Sequence, residues 1–207
     1  MGTPKKLLII KATKDLCAAE LEHIKTIAVM FGMEHDTYEV TGPSAFQATI
    51  PKADQCCQGP QLPSPSPFRA AMTNKGKFDY IYLAAHANPE GFGESDGGRT
   101  TNWTDLGSDL CDTNCLTTGC VLLLACCRGG LRRVAMSLFC SCAQIDYVCG
   151  PRWTVTGLDI TAGFHVFVYN MEIRREQPSC AAERASKATG YDFFCYDRVE
   201  AEDSSIG

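Results

Sequence analysis

Short apolar runs alternate along the chain with stretches whose apolar residues recur every three or four positions. Leu7 to Ala12 is an apolar run of the kind a buried strand needs. Asp15 is placed to cap a helix in which Leu16, Ala19, Leu21, Ile24, Ile27, Ala28 and Phe31 fall at helical spacing, with Gly32 ending it. Met33 to Val40 alternates loosely and predicts a second strand. From Thr41 to about Phe68 the pattern lapses: Pro43, Pro51, Pro60, Pro63, Pro65 and Pro67 sit in polar sequence, which predicts a long flexible loop (41–68) rather than a second domain. Regular patterning resumes at Phe78 to Ala85, a strand that ends at His86, and a Gly-rich turn or hairpin follows over 88–98. A helix is expected over 103–110, capped by Asn102 or Thr104.

Cys120 to Ala125 is the most apolar run in the chain and predicts a central strand buried on both faces. After Gly129-Gly130 come a helix (about 131–142), a strand (145–149) closed by Gly150-Pro151, two helices (160–176 and 179–188, the second opened by Pro178) and a last strand at 193–196. Strands alternating with helices predict an α/β fold, with helices on both sides of a mostly parallel sheet. Such sheets collect their reactive groups beyond the carboxyl ends of the strands. Two strands here end at residues able to do chemistry, one at His86 and one at Cys126-Cys127.

Bulk properties narrow the classes. A chain of 207 residues suits one domain spanning 1–207, and 45% hydrophobic with 21% charged residues is ordinary for a globular protein. A net charge of −5, with Lys5-Lys6 and Arg132-Arg133 as isolated basic pairs, argues against nucleic acid or an anionic membrane as partner. The apolar stretch Leu7 to Ile10 is too short for a signal-peptide core or a membrane span. The expected location is therefore cytoplasmic, with most of the thirteen cysteines reduced. Paired Cys-x-x-Cys knuckles are missing, and Cys111, Cys115 and Cys120 are spaced by four and five, so no structural zinc site is expected.

The order of motifs carries a resemblance. Leu83-Ala-Ala-His86, a Gly-rich loop, Trp103-Thr-Asp-Leu106, Val121-Leu-Leu-Leu-Ala-Cys-Cys-Arg-Gly-Gly130 and Tyr147-Val-Cys-Gly-Pro-Arg-Trp153 together resemble the CHAT branch of the caspase-like cysteine peptidases. The stretch concerned runs from about 75 to 190 and includes Phe164, Phe167 and Tyr169 in its closing helix. The resemblance implies a three-layer α/β/α sandwich around a mostly parallel six-stranded sheet. It also implies a His–Cys dyad cutting protein or peptide substrates without a cofactor or metal. His86 then protonates the leaving amine. Aligned on Ala-Cys-x-x-Gly the nucleophile is Cys126, the favoured frame; aligned on Cys-Arg-Gly it is Cys127.

Neighbours on an extended strand face opposite sides, so only one of the two can reach His86. The backbone N–H groups of Ala87 and Cys127 are the expected oxyanion donors. Trp153 either walls the substrate pocket or simply packs. Arg152 or Asp159 sets the pocket's charge preference, Arg for an acidic and Asp for a basic side chain before the cut. An alanine follows the histidine where the family usually has glycine, so a left-handed backbone at Ala87 would cost on the order of 1 kcal/mol. Relatives of this kind are often bacterial defence or cell-death effectors; with no repeat or sensor domain read in this sequence, control by a separate protein or a small signal molecule is expected. The rival reading is a catalytically weak caspase-like scaffold that binds and regulates.

Overall fold

The computed structural model describes residues 3–40, 67–73, 76–93 and 101–203. All but the last two residues of the Pro-rich loop expected over 41–68 lie outside the described residues; Pro67 and Phe68 open a short helix.

The polypeptide is α/β. Its main sheet has six strands: β1 (Lys6–Lys11), β2 (Glu34–Glu39), β3 (Phe78–Ala84), β7 (Leu116–Ala125), β8 (Tyr147–Pro151) and β9 (Phe193–Tyr196). Their order across the sheet is β2-β1-β3-β7-β8-β9, and every neighbouring pair is parallel except β8 with β9. Between β3 and β7 a second, three-stranded antiparallel sheet forms from β4 (His86–Ala87), β5 (Gly91–Gly93) and β6 (Thr101–Asn102). Among the described residues no helix is long and apolar enough to cross a membrane.

Helices cover both faces of the main sheet. One core holds Tyr80, Tyr82, Val121, Leu123 and Ala125 against α1 (Ala18–Met30), α5 (Gly157–Glu172) and α6 (Pro178–Thr189). The other holds Ile81, Leu83, Leu122, Leu124 and Cys126 against α2 (Pro67–Met72), α3 (Trp103–Thr113), α4 (Arg132–Ser141) and α7 (Arg198–Glu202). Burying one large aliphatic or aromatic side chain is worth about 1.5–3 kcal/mol, so these two layers supply the bulk of the driving force.

The predicted strands and long helices are present, with shifted ends. Asp15 does not cap α1. Cys17 does, its sulfur accepting from the Glu20 N–H while Glu20 accepts from the Cys17 N–H. Asn102 caps α3, and Pro178 opens α6 as its fixed φ favours. The five-residue α7 was not anticipated, although Asp197-x-x-Glu200 forms a reciprocal capping box. One disulfide was not anticipated either. Cys149 and Cys195 face each other across the antiparallel β8–β9 pair and are joined; the other nine described cysteines are free.

The β3–β7 register matters most for the site. Phe78 is opposite Leu116 and Tyr80 opposite Val121, so β7 advances five residues while β3 advances two. Gly119 takes φ +80° in the extra stretch, a conformation an L side chain resists, and its N–H donates to Asp146. Beyond the irregularity the pairing runs without a break to Ala84 opposite Ala125.

Candidate active site

From the Ala84–Ala125 pair both chains leave the sheet, and their side chains keep alternating. On β3, Tyr80, Tyr82 and Ala84 face the α1/α5/α6 core, while Ile81, Leu83 and Ala85 face the other. On β7, Val121, Leu123 and Ala125 take the first face, while Leu122, Leu124 and Cys126 take the second. His86 and Cys127, each two residues past a paired alanine, therefore continue the same face.

A cleft opens there, with about 120 Å³ of room for water-sized groups. His86 and Cys127 line it with Thr13, Asp15, Glu20 and Val155, over a floor that includes Tyr82, Ala84, Ala125 and Ile160. Both reactive side chains are half-buried. The Cys127 thiol lies 3.9 Å from the Val155 carbonyl.

The favoured nucleophile of the sequence reading is placed differently. Cys126 borders the same cleft, but its residue is 1% exposed and belongs to the core under α3 and α4. Its sulfur packs on the backbone of Gly129, where an added Cβ would stand only 3.0 Å away. Burial pushes this thiol's pKa well above its ordinary value, because a thiolate there would lose its hydration, and the neighbouring Cys127 adds to the rise. Register assigns the core to Cys126 and the cleft to Cys127.

The turn after β7 has little slack. Arg128 holds a left-handed backbone at φ 63°, which costs a non-glycine residue roughly 1–2 kcal/mol. The Arg128 N–H donates to the Trp153 carbonyl, the Gly129 N–H to the Cys126 carbonyl and the Gly130 N–H to the Pro151 carbonyl. A Cβ on Gly130 would meet the Gly150 carbonyl oxygen at 2.0 Å, so only glycine allows this turn to close on β8.

The hairpin after His86 orients the N–H of Ala87. The Asn88 N–H bonds the Gly91 carbonyl, and the next pair inward is Ala87 with Phe92. Pairs alternate between bonded and unbonded in an antiparallel ladder, so Ala87 falls at an unbonded position and its N–H points away from β5. Ala87 is not among the residues with positive φ, so the strain expected of an alanine there is absent. Phe92 pins the hairpin: it is fully buried, edge-on to Phe68 at 5.1 Å and tilted against Trp103 at 5.0 Å. The Trp103 indole N–H reaches the Asn88 carbonyl at 3.3 Å.

The three expected pocket residues do not line this cleft. Trp153 is 58% exposed and its indole N–H donates to Asp192. The Arg152 guanidinium stacks over the Trp153 and Phe194 rings, 5.7 and 5.3 Å from their centres. Asp159 is committed to the N-terminus of α5, where it accepts from the Thr156 hydroxyl and N–H. The Thr156 hydroxyl holds the Asp159 carboxyl below its ordinary pKa. The carboxylates that do line the cleft are those of Asp15 and Glu20, beside the imidazole of His86.

The site residue that sequence reading missed is Asp15. Its Oδ2 lies 2.5 Å from Nε2 of His86, across 71 residues of sequence. Among the described residues no cluster of three or more His, Cys, Asp or Glu side chains could hold a metal ion. No family model matches the chain, and no curated protein matches it significantly.

Proposed function

We propose that the chain is a caspase-like cysteine endopeptidase in which His86 and Cys127 form the dyad. The observation that carries the reading is one cleft lined by a half-buried imidazole and a half-buried thiol, on side chains that leave neighbouring parallel strands in matching register. The motif order read from the sequence supports the family, and the six-stranded, mostly parallel sheet with helices on both faces is compatible with its three-layer sandwich.

The chemistry needs a thiolate, a proton carrier and oxyanion donors. Cys127 gives its proton to His86 and attacks the scissile carbonyl. The N–H groups of Ala87 and Cys127 face the oxygen as it gains charge. His86 returns the proton to the leaving amine, so the C–N bond breaks and a thioester remains. Water, deprotonated by His86, releases the acid and restores the thiol. General acid–base assistance of this kind contributes typically about 10²–10⁴-fold.

Asp15 and Glu20 make the described cleft acidic, and Tyr82 and Ile160 give it an apolar floor, so the side chain it suits has an aliphatic stem and a positive head. The preferred substrate is a peptide or protein segment carrying Lys or Arg at the cut. By the resemblance, the enzyme is a regulated effector switched on by a partner protein or a small signal molecule.

The test is a peptide library turned over by the wild type and by Cys126→Ala, Cys127→Ala and His86→Ala. Loss in the second and third variants, with cleavage kept in the first, supports the dyad. Cleavage surviving in Cys127→Ala overturns it. If no thiol is activated in any form, the scaffold reading replaces the enzyme.

A further inference from the structure

The loop that carries Asp15 is fixed at several points. The Ala12 N–H bonds the carbonyl of Ala84, two residues before His86, at 2.8 Å. Thr13, 6% exposed, accepts the Asp15 N–H on its hydroxyl at 3.1 Å. The Cys17–Glu20 capping box then locks the start of α1. Because β1 is the sheet neighbour of β3, this loop ends beside the imidazole. The carboxylate lies 2.5 Å from Nε2, which leaves Nδ1 as the free ring nitrogen.

We infer that Asp15 is the positioning residue of the site, holding His86 in the tautomer that carries hydrogen on Nε2 and presents a bare Nδ1 to Cys127. The inference rests on the dyad proposed above. A bare Nδ1 can accept the thiol proton; the imidazolium that results has hydrogen on both nitrogens, with Asp15 accepting the one on Nε2 throughout. Asp15 neither gains nor loses a proton. When Nδ1 passes its hydrogen to the departing amine, the ring returns to its starting tautomer.

This role differs from that of a stabilising ion pair. The two side chains are 44% and 58% exposed, and pairs so exposed add little to folding. Removing the carboxylate should leave the melting temperature where it is and change the ring's tautomer and the reactivity of the thiol.

Two measurements on the intact chain decide it. The first is the ¹⁵N spectrum of the His86 ring at neutral pH in wild type, Asp15→Asn and Asp15→Glu. The second is the rate at which iodoacetamide alkylates Cys127 in the same proteins and in His86→Ala. Expected are an Nε2–H tautomer in wild type and a mixed or Nδ1–H form in Asp15→Asn. Alkylation in that variant should slow by roughly 10- to 100-fold, less than the ~10⁴-fold seen where the orienting aspartate of a triad is buried. Asp15→Glu should recover part of both. Wild-type tautomer and alkylation rate in Asp15→Asn would overturn the role of Asp15 while leaving the dyad intact. Unchanged alkylation in His86→Ala would overturn the dyad, and with it this inference.

Discussion

The two faces of the sheet treat adjacent cysteines in opposite ways. Under α3 and α4 the sheet is sealed, and Cys126 serves as one more small apolar residue beside Leu122 and Leu124. Under α1 and α5 the packing stops short of the strand ends, and Cys127 meets a cleft with His86 and Asp15. The same functional group, one residue apart, is filler on one side and a candidate nucleophile on the other. Reactivity is thus a property of the strand register rather than of the residue type.

The contrast predicts that changes on the open face alter turnover and changes on the sealed face alter stability. The largest effect should come from Cys127→Ala, which removes the proposed nucleophile: a loss of about 10⁴-fold or more in kcat, ~5.5 kcal/mol of barrier, read from initial rates on the best library peptide. Its melting temperature should stay close to wild type, because the side chain is half-exposed.

Phe92→Ala should come next, on the sealed side. Emptying a fully buried phenylalanine site costs about 3–5 kcal/mol, measured by urea unfolding. Because Phe92 pins the hairpin that carries Ala87, turnover should also fall below the new midpoint.

Cys126→Ser sharpens the comparison within one atom. A hydroxyl in place of that buried sulfur should cost about 1–3 kcal/mol of stability, with kcat at low temperature within about twofold of wild type. A large loss of kcat without a loss of stability would return the nucleophile to Cys126.

The smallest effect is expected at the rim of the open face, where Thr156→Ala should cost about 1 kcal/mol by uncapping α5. The cap holds the Asp159 carboxyl below its ordinary pKa of 3.8, so its ionised form favours the folded state. That contribution is complete above the ordinary carboxylate range and disappears as pH falls through the lowered value. The gap between wild type and Thr156→Ala, followed by thermal melts, should therefore narrow on acidification below about pH 4.

The elements were legible because period and punctuation agree. Leu7 to Ile10, Val121 to Ala125 and the helical spacing from Leu21 to Ala28 left little choice of type. The meeting of His86 with the cysteine pair was legible too, since both end apolar runs. Which cysteine faces the cleft was not. A strand buried on both faces shows no alternation, so Val121-Leu-Leu-Leu-Ala125 carries no mark of which side is which. Packing decides it: Leu116, Cys120, Leu122, Leu124 and Cys126 keep one two-residue alternation into the core under α3 and α4, which leaves Cys127 to the other face.

The position of Asp15 before a helical pattern points only to a cap. Its contact with His86 spans 71 residues, and local spacing holds no trace of it. Trp153, Arg152 and Asp159 were carried over from a resemblance; side-chain partners such as Asp192 and Thr156 decide where they go.

The paired thiols also make the site tolerant of a particular accident. One residue inserted within Val121–Ala125 would exchange the faces of the residues left in that strand, and both of its faces are apolar, so the hydrophobic layers would suffer little once the tight turn at Gly129 and Gly130 had re-formed one residue on. Cys126 would then stand where Cys127 stands now. A frame slip that would erase a lone nucleophile would here replace one sulfur by its neighbour.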